Sequence, residues 1–455
     1  MSSSPPATSK GHSAKLTNGP ITRHLVEQTL PGIIGVAAIM SIGLVDAYFI
    51  GQLGSDQLAA ISFIFPISVA LTSLGVGVMV GINSVVSRAL GEGDTEKAAR
   101  RATFGLVFAT ICGVVLALAV YVVIDPLFAL MNAGETVRPL IREYMVPYAF
   151  GFPLLLMIMG MNGVLRAQGE AKKSSYVNLV YAAANWVLDP LLITGALGIE
   201  GFGIVGAAFA TVIGWAMGAI FAVWMVKLSD LSIDPACLTR SHLVDPAVSI
   251  LRVGAPAAFS NAINPMGLSI LTALIASQGQ DAVAGFGAAG RLQSFATVPL
   301  LALSGSIGAI VGQNWGASEL GRAREAAVWA GGFCLVWGLA TALVLFAAGE
   351  WFAGLFTEEP GVVDEFARYL SIAAWGYAGF GILIVANGIL NAVDKAAFAL
   401  TQSLLRVFLV MLPFALLFDQ ALGSSAIYAA ELAANAFGAV TGIALMWWVL
   451  GRSRR

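Results

Sequence analysis

The sequence is poor in charge. Asp, Glu, Lys and Arg together make up 11% of its 455 residues, where a soluble domain carries roughly 25%, and a water-soluble globule is thereby excluded. The three histidines, His12, His24 and His242, lie outside every long apolar run. No HExxH, P-loop or nucleophile-elbow pattern occurs, which removes the usual sequence routes to metal-dependent hydrolysis, ATP hydrolysis and acyl transfer. An enzyme is not expected, nor a cofactor. The three cysteines, Cys112, Cys237 and Cys334, have no metal-type spacing. Two of them sit in apolar runs and read as small core residues. The opening SSSPPATSKGHSAK lacks the apolar core of a signal peptide, so residues 1–28 read as a disordered, uncleaved tail.

What the chain has in abundance is hydrocarbon. Hydrophobic residues make up 58% and the mean hydropathy is +0.84, which places it among integral membrane proteins. Apolar runs near 30–54, 58–85, 102–124, 139–165, 175–197 and 203–227 are separated by short loops bearing Gly, Pro or charge. A second set follows at 249–277, 283–312, 326–348, 366–391, 397–418 and 424–449. The reading is an all-α protein of twelve membrane helices. Residues 29–228 form a first six-helix lobe, 229–247 a polar linker, 248–450 a second lobe and 451–455 a basic tail.

The two sets are copies. At an offset of 225, Pro31 meets Pro256, Gly91 meets Gly316, Asp125 meets Glu350, Tyr144 meets Tyr369, and Asn162-Gly-Val-Leu165 meets Asn387-Gly-Ile-Leu390. Each copy has an even number of crossings, so the second enters from the same side as the first. The repeats are therefore parallel, with a substrate site expected between two lobes around a central cleft. If both termini are cytoplasmic, only Arg138, Arg142 and Arg368 of the 24 Lys and Arg lie in outer loops, while Arg291 and Arg406 fall within spans. The positive-inside rule is thus satisfied. The inner clusters, such as Lys97-Arg100-Arg101, read as topology determinants lying against anionic lipid, not as a nucleic-acid site.

Where the copies differ, chemistry is expected. Asp46 is replaced by Leu271, Asp189 by Phe414 and Asn185 by Val410; conversely Arg291 faces Pro66, Arg406 faces Tyr181 and Glu431 faces Gly206. A membrane aspartate costs roughly 2.5 to 3.5 kcal/mol on insertion scales, and such groups usually bind something. At 1.5 Å per residue Asp46 and Asp189 stand at about the same depth, roughly 21 to 24 Å from the inner ends of their helices. Asn185 lies one turn before Asp189 on the same face, and Thr211 of the sixth helix reaches a similar level. Two carboxylates, an amide and a hydroxyl form a hard oxygen site for a proton or a sodium ion. The two acids cannot both ionise cheaply, so one is expected to titrate. Arg291 and Glu431 also share a depth, as an ion pair of the second lobe or as part of a substrate cavity. Arg406 has no evident partner and reads as snorkelling or lumen-facing.

Pro31 with Asp46, the stretch VDAYFIGQLG, the NWVLDP of residues 185–190 and the GAAFAT of 206–211 resemble the multidrug and toxic compound extrusion (MATE) family, over about residues 25–450. The acidic first lobe resembles its bacterial DNA-damage-inducible branch. That resemblance implies secondary antiport of amphipathic or cationic compounds against H+ or Na+. It also implies a cation site at Asp46, Asn185, Asp189 and Thr211, a coupling bend at Pro31, and an eighth-helix arginine at Arg291. Coupling acids that other branches place in the seventh helix are absent from residues 249–277. The expected function is that of a multidrug exporter of the bacterial inner membrane, a monomer with alternating access. A lipid-linked oligosaccharide flippase of related architecture is the alternative; it needs a cationic cavity for a pyrophosphate, and the acids of the first lobe argue against it.

Overall fold

The computed structural model describes residues 14–131, 133–195, 198, 200–231, 233 and 244–452. Among these residues no strand occurs. Ten helices are long and apolar enough to span a bilayer, and two bent pairs bring the number to twelve. They are α1 (Ile21–Gly51), α2 (Ser55–Gly91), α3 (Thr95–Leu130), α4 (Val137–Phe150 and Phe152–Ala167), α5 (Ala171–Gly195) and α6 (Ile204–Lys227). The second set is α7 (Val244–Ile275), α8 (Gln280–Ala296 and Val298–Gly316), α9 (Leu320–Ala347), α10 (Pro360–Ala392), α11 (Ala396–Leu422) and α12 (Ser424–Arg452). Cys237 and most of the linker expected at 229–247 lie outside the described residues. Cys334 is buried and Cys112 half-buried, both free.

Helix α1 starts at Ile21, well before the apolar run at Leu30. The reason is tertiary: Leu16, Ile21 and Leu25 are buried in one cluster with Leu303, Ile307 and Ile310 of α8 and Ile389 of α10. The end of the expected disordered tail is therefore ordered from residue 14. Leu16 N–H donates to Gln313 Oε1 at 3.0 Å, its carbonyl accepts from Asn314 Nδ2 at 3.0 Å, and Gln313 Nε2 donates to the Ala167 carbonyl at 2.6 Å. Lys15 pairs with Glu170 at 2.5 Å and Asp230 at 2.7 Å. This strap ties both halves of the chain together at the end of the bundle where α1 begins, here called the terminal face.

The duplication is visible in the packing. A Cβ placed on Gly91 would stand 2.0 Å from the Gln313 carbonyl oxygen, and one on Gly316 would stand 2.2 Å from that of Arg88. Residues 88 and 313 are themselves partners at the offset of 225, so the two contacts are images of each other across a two-fold axis between the ends of α2 and α8. Polar contacts repeat likewise. Asn162 Nδ2 donates to Asn178 Oδ1 at 2.9 Å, and Asn387 Nδ2 donates to Ser403 Oγ, again 225 further on, at 3.2 Å. The break in α4 at Gly151 has its counterpart in the 3-10 turn Ala374–Gly376 of α10.

Contacts between the two halves gather at the terminal face. Gly32 packs on Ala302, Gly77 on Gly254 and Ala258, Gly81 on Ile250 and Gly312 on Ser87. Glycines farther from that face, among them Gly206, Gly214, Gly267, Gly285 and Gly379, meet only residues of their own half. Small residues at these crossings let backbones approach to within van der Waals distance, the usual means of helix association in lipid.

Two outcomes follow from this closure. Gly91→Ala forces a methyl group against a carbonyl and should cost about 1–3 kcal/mol by overpacking, read as earlier thermal unfolding in detergent; Gly321→Ala, where nothing lies within 4 Å, should leave the transition unchanged. Gln313→Ala strands the Leu16 N–H and the Ala167 carbonyl, at about 1–3 kcal/mol for each unsatisfied group, with the strap becoming protease-accessible.

Candidate functional site

The site grows out of the seam between α1 and α5. On α1, Ala38, Ile42 and Asp46 recur every four residues and so share one face. On α5, Asn178, Ala182, Asn185 and Asp189, spaced by four, three and four residues, likewise share one face. Ala38, Ile42 and Ala182 are buried against one another, and Gly35 sets its backbone close enough that a Cβ would meet Ser175 and Asn178 at 3.2 Å. Two turns beyond these small residues the same faces carry Asp46 against Asn185 and Asp189. Gly214 provides the matching close approach on α6, where a Cβ would be 3.2 Å from the Tyr181 carbonyl and 3.8 Å from Asn185. That places Thr211, one turn before Gly214, beside the amide.

The geometry brings all four sequence-predicted residues together. Asp46 is in contact with both Asp189 and Asn185. Asn185 Nδ2 points to Thr211 Oγ1 at 3.5 Å. Asn185 and Asp189 are fully buried and Thr211 nearly so. Four oxygens, Asp46 Oδ1, Asn185 Oδ1 and both carboxyl oxygens of Asp189, are buried with no hydrogen-bond partner. Buried acceptors left unpaired are costly unless something electropositive reaches them. Immediately after Asp189 the helix widens into a π-turn, Pro190–Gly195, because Pro190 brings no N–H to the ladder. Such turns are frequent at functional sites.

Sequence reasoning missed the wall of this site. Tyr144 of α4 reaches Thr211, Tyr148 reaches Ser68, and Tyr181 reaches Trp215. The Tyr148 ring packs tilted against Tyr144 at 5.3 Å between centroids and Trp215 at 5.1 Å, and edge-to-face on Phe152 at 5.3 Å. The one signal available was the Tyr144–Tyr369 match between the copies.

In the second half the expected ion pair is not formed. Arg291 lies on the exposed side of α8, whereas Glu431, 4% exposed, is bound by Gln293 and Tyr369. Residues 291 and 293 are two apart on a helix and point away from each other, so equal depth did not mean contact. Arg406 does not snorkel. It is 5% exposed, held by Asn435 Oδ1 at 2.5 Å and by Asn264 Oδ1, with the Phe380 ring 5.9 Å from its guanidinium carbon. Pro31 lies inside α1 rather than at its start, beside the Gly32 contact with Ala302.

Comparison with known proteins agrees with this architecture. The MatE family model matches residues 31–191 and 256–417, one stretch per copy. A FAD transporter of Shewanella oneidensis is 32% identical over 402 residues, covering 88% of this chain and 89% of the relative. A probable multidrug resistance protein of Bacillus subtilis is 26% identical, with 90% and 91% covered. Among solved structures, the Vibrio cholerae MATE transporter VcmN in the bent form superposes with a TM-score of 0.88 at 29% identity, covering 95% of this chain and 97% of that one. A MOP superfamily transporter from Pyrococcus furiosus gives 0.90 at 24% identity over 98% and 99%. The protein is thus a multi-pass membrane transporter, not an enzyme, and it belongs to the MatE family.

Proposed function

We propose that this transporter is a secondary antiporter that expels amphipathic, preferentially cationic compounds in exchange for H+ or Na+. The observation that carries this reading is the set of four buried, partnerless oxygens on Asp46, Asn185 and Asp189. This nest of oxygens is neutralised by a proton shared between the carboxyls, or by a sodium ion that takes oxygens from both acids, the amide and Thr211. An ion can shift a conformational equilibrium only by binding one state better than the other. Filling this nest strengthens the α1–α5–α6 seam in one state, and emptying it weakens the seam in the other.

In this reading residues 29–228 and 248–450 are two rocking lobes, both termini are cytoplasmic, and the closed terminal face is the inner one. The described conformation then opens outward in a bacterial inner membrane, as a monomer of the DNA-damage-inducible branch. Pro31, next to the inter-lobe contact of Gly32, is the point at which α1 can flex, because proline removes one rung of the helix ladder. Apolar and aromatic side chains hold the cargo, and the acids attract it if it is cationic. A second reading of the cargo, a flavin dinucleotide, is favoured by the name of the 32%-identical relative; the coupling chemistry is the same.

The test is transport by purified protein in liposomes under an imposed pH or sodium gradient, with a fluorescent cationic dye in one set and FAD in the other. One gradient should drive efflux, which names the ion. Asp46→Asn should lower that driven rate at least roughly tenfold, since loss of about 1.4 kcal/mol of differential binding suffices. Asn185→Ala should weaken ion dependence while sparing folding. No transport under either gradient would overturn antiport, and movement of a lipid-linked oligosaccharide instead would establish the flippase.

A further inference from the structure

The second half contains a buried acid that the coupling site does not use. Glu431 of α12 takes part in a closed triangle of contacts. Gln293 Nε2 lies 2.5 Å from Glu431 Oε1, the Tyr369 hydroxyl lies 2.9 Å from Glu431 Oε2, and the same hydroxyl lies 2.8 Å from Gln293 Oε1. With one linear hydrogen bond per contact, three contacts take three hydrogens. The amide N–H supplies one and the tyrosine O–H supplies one. If the tyrosine donates to the amide oxygen, its own oxygen faces Oε2 with nothing between them; if it donates to Oε2, it faces the amide oxygen bare. Turning the amide over does not help, because its oxygen then meets Oε1 and again no hydrogen is present. A third hydrogen completes the triangle without a three-centre bond at Tyr369, and the Glu431 carboxyl is the group of the three that can take it up.

We propose that Glu431 is a proton-binding site of the second lobe, loaded in this conformation and emptied in the transport cycle. The groups around it fit the discharge. Tyr369 and Tyr377 face it from α10, the neutral Gln293 from α8, and Arg406 from α11 is the charged group turned toward it. The Arg406 Nε and the Asn435 Nδ2 are buried without partners, and the Tyr377 hydroxyl stands beside that of Tyr369. The first two are donors with no acceptor, the complement of the first-lobe nest. When the proton leaves to solvent, the carboxylate loses its hydrogen bond within the triangle and gains these donors as partners. The same step weakens the link among α8, α10 and α12 and draws on Arg406, which is also bonded to Asn264 of α7. Helix α7 carries Gly254, packed on Gly77 across the lobe seam. Proton loss at Glu431 is thereby communicated to the helix that closes the terminal face.

The position has a counterpart in the first lobe. At the offset of 225, Tyr369 corresponds to Tyr144 and Gln293 to Ser68, and both first-lobe residues line the wall of the acid site. Each lobe thus builds an ion site around the same tyrosine, one with acids on α1 and α5, the other with an acid on α12. The place of Glu431 in a transport cycle rests on the antiport reading; its being protonated does not.

Infrared difference spectroscopy on the purified protein tests the site without cargo or gradient, using protein labelled with carbon-13 on glutamate carboxyls. The expected result is the C=O stretch of a protonated glutamate that disappears on going from acid to alkaline pH. That band should be lost in Glu431→Gln and kept in Asp46→Asn. The glutamine supplies an N–H where the proton was, so all three contacts survive and the variant folds. Tyr369→Phe should move the titration of this band while leaving it present. A glutamate band that is absent, insensitive to residue 431 or unchanged across the titration would overturn the proposal. Gradient-driven transport judges the antiport reading separately.

Discussion

Asp46 and Asp189 are pressed together in a helix seam where the Asn185 amide is the neighbouring side-chain donor, and four oxygens of the seam stay unpartnered. Each aspartate costs roughly 2.5 to 3.5 kcal/mol to place in the bilayer. In the antiport reading that cost is offset by a proton or a cation held in the nest. Because Gly35, Ala38 and Ala182 bring α1 and α5 close, and Gly214 does the same for α5 and α6, any change in what occupies the nest is felt along two helix contacts. In that reading occupancy and helix packing are one equilibrium, as coupled transport requires.

The two-fold axis between α2 and α8 gives that equilibrium something to act on. Gly91 against Gln313 and Gly316 against Arg88 are a single contact made twice, so the halves can separate there only by losing both. The strap from Lys15 to Leu16 adds bonds to residues of both halves and to Asp230. Contacts of this kind favour one closed arrangement and permit a second, in keeping with packed interfaces being bistable rather than continuously deformable. The halves share a scaffold but not their ionisable groups. Around Asp46 and Asp189 the unpartnered atoms are oxygens, whereas beside Glu431 they include the Arg406 Nε and the Asn435 Nδ2.

The number of spans, their pairing as copies and the four residues of the acid site were legible in the sequence, because hydropathy, a constant offset and depth along a helix are all one-dimensional quantities. What was not legible is rotation about the helix axis. Arg291 and Glu431 share a depth, yet Gln293, two residues from Arg291, is the one that meets the acid. Arg406 lacked a visible partner because Asn264 and Asn435 come from α7 and α12, far away in the chain. Likewise Leu16 and Ile21 sit in a polar stretch that composition reads as disordered, and only the cluster with Leu303, Ile307 and Ile310 explains their order. The aromatic wall of Tyr148, Phe152 and Trp215 carried no sequence mark, since aromatic residues are common in any span.

The central claim is that an ion held between Asp46 and Asp189 is coupled to cargo through the α1–α5–α6 seam. The most direct measurement is ion release on cargo binding, with purified protein in weakly buffered detergent solution, recorded by a pH indicator and a sodium electrode in parallel. The account predicts that cargo displaces protons or sodium from wild type and that Asp189→Asn abolishes the displacement while cargo still binds. Cargo binding to wild type with no ion released at any pH or sodium concentration would contradict it.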